Sequence, residues 1–144
     1  ILEHLAQSNP QAYKLDLAGS YNNLANLYSD TQRFTESEAM YKQALAIRER
    51  LAQSNPQAYE PALANSYYNL ANLYSDTQRF SDSEAMYKQA IAIDKRLAQS
   101  NPQAYSTDLA SLYYNIGNLY LFNDHLSESE EMFMASLDIY ENLT

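Results

Sequence analysis

An all-α solenoid of antiparallel helix pairs is the fold this sequence predicts, and three observations predict it. The string Leu-Ala-Gln-Ser-Asn-Pro-Gln-Ala-Tyr begins at Leu5, Leu51 and Leu97, a constant spacing of 46 residues. Within each copy apolar residues recur at intervals of three and four, the period of one helical face, and the period-two alternation of a half-buried strand is absent. Each copy then runs into Asn-Pro, which stops a helix because proline lacks an N–H and pushes the residue before it out of the α region. Copies one and two are nearly identical from Leu17 to Ala46 and from Leu63 to Ala92. The third keeps the pattern but drifts after Tyr120, as duplication followed by divergence would leave it.

Taken in order, Ile1 aligns with Ile47 and Ile93, so residues 1–9 are expected to be the tail of a preceding second helix. Repeat one is then 10–52, repeat two 53–98 and repeat three 99–144, together forming a single domain. First helices are expected from Leu15, Pro61 and Thr107 to turns at Asp30, Asp76 and Asn123. In the second copy Leu63, Tyr67, Leu70, Ala71 and Tyr74 make the buried stripe. Pro61 is expected to mark a restart or kink, and Tyr13, Tyr59 and Tyr105 to lie in the inter-repeat turn. Second helices are expected from Glu36, Asp82 and Glu128, with Ser83, Tyr87, Ala90, Ile91 and Asp94 on the packing stripe, ending near Ser100. Their start is read from a capping box: Thr35 with Glu38, Ser81 with Glu84 and Ser127 with Glu130. Acidic Glu36, Asp82 and Glu128 suit the positive end of the helix dipole, and Arg48, Arg50, Lys95 and Arg96 the negative end. A pair of helices of roughly 18 residues cannot bury both apolar faces alone, so stacked neighbours must supply the rest.

Composition narrows the function. With 144 residues, 46% hydrophobic and 19% charged, the chain is long enough for a real core. No apolar run approaches the ~20 residues of a membrane span. No secretory signal is visible, although an upstream targeting segment is compatible with the sequence. The absence of cysteine excludes disulfides, thiolate metal sites and a cysteine nucleophile, and fits the reducing cytoplasm expected as its location. A net charge of −9 opposes both a phosphate backbone and anionic lipid, so neither nucleic acid nor membrane is an expected partner. His4 and His125 lie more than two repeats apart, too far to share a metal. There is no phosphate loop, dinucleotide glycine fingerprint or paired-histidine helix, so no catalytic residue, metal or cofactor is expected. Asn142-Leu143-Thr144 matches a glycosylation sequon, a pattern short enough to arise by chance.

The stretch Tyr67-Tyr68-Asn69-Leu70-Ala71-Asn72-Leu73-Tyr74, followed by Phe80, Ser83, Tyr87 and Ala90, resembles a tetratricopeptide repeat. Tyr21, Leu24, Ala25, Tyr28, Phe34, Ser37, Tyr41 and Ala44 correspond in the first copy. Tyr113, Ile116, Gly117, Tyr120, Leu126, Ser129, Phe133 and Ser136 correspond in the third. The sequence departs from the family in placing serine where alanine is usual early in the second helix. Its period is also longer than the usual 34 or so, as in the extended-helix variety of kinesin light chains. The resemblance implies a right-handed superhelix whose concave groove is lined mainly by first helices, and a role in protein–protein interaction.

Asparagine is a poor interior helix former, yet Asn23, Asn69 and Asn115, and Asn26, Asn72 and Asn118, recur on first-helix faces that avoid the apolar stripe. Two accounts compete: contact with an extended peptide, whose main chain an amide can read as donor and acceptor, and hydrogen bonding between neighbouring repeats. Most of the fourteen tyrosines fall on packing stripes, whereas Tyr68 and Tyr114 point toward the face the family presents to ligands. With Asn22 these two hold the positions where the family's carboxylate clamp would carry lysine. Asp30 and Asp76 lie near the same face and favour a neutral or basic ligand. The expected peptide-binding set is thus Asn22, Asn23, Asn26, Asp30, Tyr68, Asn69, Asn72, Asp76, Tyr114, Asn115 and Asn118. The alternative is a structural or oligomerising arm, or a regulatory domain, of a larger protein. Met134 and Tyr140 stand where Lys88 and Asp94 do, and Leu121 and Phe122 where Ser75 and Asp76 do. Apolar residues gathered in the last copy point to a surface for a following element, a partner or a second copy, and so to self-association through the ends.

Overall fold

A computed structural model describes residues 10–143. The helix-tail expectation for residues 1–9, His4, and Thr144 of the sequon lie outside them. Among the described residues are six helices: α1 Pro10–Asp30, α2 Phe34–Ser54, α3 Pro56–Asp76, α4 Phe80–Ser100, α5 Pro102–Phe122 and α6 Leu126–Leu143. The all-α, helix-pair expectation is borne out. The chain divides into two compact units, one reaching to Leu73 and the other starting at Tyr74. In the first α1 packs on α2; in the second α5 packs on both α4 and α6.

First helices start five residues earlier than expected. Asn55 and Asn101 each leave the helical conformation for one residue, and their side-chain oxygens accept the N–H of Ala58 at 3.3 Å and of Ala104 at 3.2 Å. Asn-Pro is therefore an N-cap followed by proline at the first helical position, where the missing N–H is an orphan anyway. Tyr59 and Tyr105 consequently lie in the first turns of α3 and α5, as Tyr13 lies in α1, rather than in an inter-repeat turn. Pro61 likewise sits inside α3 and restarts nothing.

Second helices also start earlier, and the capping boxes are not used. α2 and α4 begin at Phe34 and Phe80 behind Arg33 and Arg79, neither of which makes a side-chain cap. The preceding turn explains why. In the first copy Gln32 N–H bonds Ser29 O at 3.0 Å and Arg33 N–H bonds Tyr28 O at 2.7 Å, a Schellman closure, with Gln32 in the left-handed region at φ 62°. Gln78 and Asp124 repeat that geometry. The closure delivers the chain already aimed into the next helix, so Ser37 N–H reaches back to Arg33 O at 2.9 Å and Thr35 falls inside the first turn. The first-turn acids pair instead with the residue before the helix: Arg33 with Glu36, Arg79 with Asp82 at 2.9 Å, and His125 with Glu128 at 3.2 Å. The two arginines also lie over the tyrosine rings of Tyr28 and Tyr74, at 4.3 and 4.2 Å.

The core follows the expected stripe, with Leu63, Leu70, Ala71, Tyr74, Tyr87, Ala90 and Asp94 buried. The serines that depart from the family pattern are fully buried as well. Ser37 Oγ donates to Ala25 O at 2.8 Å and Ser129 Oγ to Gly117 O at 2.8 Å, so each hydroxyl is satisfied by the facing first helix.

Non-glycine residues in the left-handed region cost on the order of 1 kcal/mol. Gln78→Gly is therefore expected to stabilise the protein by about 0.5–1 kcal/mol, read as a higher denaturation midpoint at unchanged slope; a lower midpoint would show that the glutamine side chain outweighs its backbone strain.

Candidate functional site

In the first unit the asparagines of the first helices are partly absorbed by the scaffold. Asn22 of α1 is buried, and its carbonyl oxygen accepts from Asn69 Nδ2 of α3 at 2.9 Å. Asn26 is exposed, but its oxygen accepts the hydroxyl proton of Tyr41, a buried residue of α2. Asn23 and Asp30 are exposed, and Tyr68 and Asn72 are half-buried. The repeat-to-repeat account of the asparagines thus holds for the Asn22–Asn69 pair.

The second unit departs from this at one point. Phe133 stands where Tyr41 and Tyr87 stand in the earlier copies, so no hydroxyl reaches Asn118 from the position that supplies Asn26. The ring has also moved toward α5. A Cβ on Gly117 would lie 2.8 Å from its Cδ1 and Cε1, so glycine in place of Ala25 and Ala71 makes the room. Tyr114, one turn before Asn118 and on the same helix face, is 53% exposed with its ring tilted against Phe133 at 5.7 Å. Asn115 and Asn118 are half-buried, and Asp76 is exposed at the end of α3. Of the expected set, Tyr114 and Asn118 are brought together on one accessible face.

A second pair of positions was not recognised in the sequence. Arg48 and Asp94 are repeat equivalents of opposite charge, and both are buried. Arg48 is therefore not a solvent-exposed cation at a helix end. Its Nη1 donates to Ser66 Oγ at 2.9 Å and Ala62 O at 3.4 Å, its Nε is buried without a hydrogen-bond partner, and burial lowers its proton affinity. Asp94 meets a different α5, where Leu112 and Asp108 replace the equivalents of Ser66 and Ala62. Burial, reinforced by the Asp108 carboxylate, pushes Asp94 up to about 6. Opposite charges at one repeat position were the available signal. Tyr120 is similarly raised by burial and by donating its hydroxyl proton to Glu84 at 2.6 Å.

No helix among the described residues is long and apolar enough to cross a membrane. A family model described as tetratricopeptide repeat matches residues 16–96, more than half of the chain, and a second of the same description matches residues 110–143. No curated protein matches. Among solved structures, BtubC (BKLC) from P. vanneervenii is similar in fold, with a TM-score of 0.80 at 23% identity. The match covers 97% of this chain and 53% of that one, so this chain spans about half the length of that structure.

Two consequences are measurable. Asp94 binds its proton more tightly in the folded than in the unfolded chain, so stability is greatest below pH 4 with respect to this group and falls as pH rises through about 6. Asp94→Asn is expected to stabilise at pH 7 by roughly 1–2 kcal/mol and to have little effect at pH 4, in urea titrations at the two values. Asn69→Ala deprives buried Asn22 of its donor and is expected to cost about 1–2 kcal/mol, a Tm loss of a few degrees. Asn118→Ala should leave Tm unchanged or slightly raised, since alanine is the better helix former.

Proposed function

Because this chain belongs to the tetratricopeptide repeat family, whose repeats generally mediate protein–protein interaction, we propose that it is a non-catalytic module that holds an extended peptide or protein segment against its first helices. The observation that carries this reading is the Tyr114–Asn118 face. An aromatic ring with more than half its surface in solvent lies one helical turn from an amide that has lost the tyrosine hydroxyl used by its first-copy equivalent. That amide can offer both a donor and an acceptor to the main chain of a ligand, and the ring adds apolar contact. Asn115 and Asn72 extend the same polar register, with Tyr68, Asn23 and the exposed Asp30 and Asp76 beside it. The net charge of −9 and these carboxylates favour a neutral or basic ligand over an acidic one. Each hydrogen bond contributes about 0.5–1.5 kcal/mol net, so affinity has to accumulate over several contacts.

A second reading, an oligomerising arm, is favoured by a different observation: exposed Leu24 and Leu27 on α1, and exposed Leu126, Met134 and Leu137 on α6.

Selection from a displayed library of random peptides tests the first reading. Enriched neutral or basic sequences are expected to bind the wild-type chain and to lose at least tenfold in affinity for Tyr114→Ala and for Asn118→Ala, both with unchanged melting curves. No enrichment, or peptides indifferent to both substitutions, would overturn it.

A further inference from the structure

The second unit contains a worked example of how a second helix receives the first helix that follows it. Phe80 of α4 stacks on His125 with ring centres 5.0 Å apart and lies tilted against Tyr120 at 6.1 Å, and the Tyr120 hydroxyl donates to Glu84. Under this cover Ile116 and Leu119 of α5 are almost fully buried. One repeat further on, α6 presents the same face, with Leu126 in the place of Phe80 and Glu130 in the place of Glu84. That face is open. Leu126 is 61% exposed and Leu137 57%, and with Leu121, Phe133 and Met134 they line a groove of about 340 Å³.

The complementary surface lies on α1. Leu24, Leu27 and Tyr28 are the repeat equivalents of Ile116, Leu119 and Tyr120. Leu27 is 56% exposed, whereas its equivalents Leu73 and Leu119 are 3% and 4% exposed. α1 therefore carries the residues that α5 buries against α4, without their cover, and α6 carries the face that α4 uses, without its occupant. Open apolar surfaces of this kind mark association sites.

We infer that two copies of this chain associate head to tail, with α1 of one copy seated on α6 of the other in the geometry by which α5 sits on α4. Leu27 enters the groove beside Met134 and Leu137, and the Tyr28 hydroxyl donates to Glu130. The contact joins unlike faces, so it leaves one open face of each kind at the ends of every assembly and does not close. This deepens the oligomerising reading and makes no use of Tyr114 or Asn118, so it can fail while peptide binding stands.

Sedimentation velocity over a concentration series tests it. The wild type is expected to form a ladder of dimers, trimers and larger species. Leu27→Glu and Leu137→Glu should each be monomeric, with melting curves like the wild type because both side chains are solvent-exposed. Mixed in equal amounts, the two variants should form a dimer and nothing larger, since the intact α6 of one meets the intact α1 of the other. Leu24→Glu with Met134→Glu provides a second pair if either variant loses its fold. A wild type that remains monomeric throughout, a mixture that stays monomeric, or association that survives Leu27→Glu, as pairing of α6 with α6 would, overturns the proposal.

Discussion

Within each described helix pair, a serine hydroxyl bonded to a carbonyl oxygen of the facing helix fixes how closely the two helices approach. Ser37 reaches Ala25 O and Ser129 reaches Gly117 O, both at 2.8 Å and both out of contact with water. A side chain that short can span the gap only where the opposite residue is alanine or glycine, so the small residues at 25 and 117 and the serines are one requirement. The carbonyl accepts a second hydrogen bond beyond its helical one, so no polar group is left unpaired in the core. The third copy adds another such bond, Ser136 Oγ to Ala110 O at 2.8 Å, further along the same crossing. Once this spacing is set, the larger residues have defined places: Tyr41 spans α2 to Asn26, and Phe133 can lie against α5 only because position 117 has no Cβ.

The turns between paired helices are built by the backbone more than by side chains. Each closes by the same two N–H···O bonds around a residue with φ of 62°, and none of the three uses glycine there. Arg33 and Arg79 compensate locally, since each bonds the acid at the start of the next helix and covers the tyrosine that ends the previous one. His125 performs the same office with an aromatic ring, stacking on Phe80 rather than covering a tyrosine from above. The substitution keeps the pairing to the first-turn acid while converting the turn into part of the α4–α5 packing.

Helical periodicity and the 46-residue spacing made the helices, their pairing and most of the core legible in the sequence. Boundaries were misread where one motif admits two structures. Asn-Pro ends a helix, but asparagine also caps and proline also starts one, and both happen at the same residues here. Thr-x-x-Glu fits a capping box, yet a Schellman closure upstream leaves it no role. The asparagines divided for a reason that lies off their own helix: whether Asn26 or Asn118 has a hydroxyl to accept depends on Tyr41 or Phe133. Arg48 and Asp94 looked like surface charges because their burial follows from which residue of the next helix faces them, information that helical period does not carry.

Two helices of 21 residues, a three-residue turn and a single asparagine fill the whole 46-residue period. Linkage by one residue has no slack. An inserted or deleted amino acid at Asn55 or Asn101 would turn the following helix by about 100° and carry its apolar stripe away from its neighbour. Sequence change in this lineage is thereby confined to two routes, replacement of individual side chains and gain or loss of complete 46-residue blocks. The first route is what separates the third copy from the other two, and the second is what the near-identity of the first and second records.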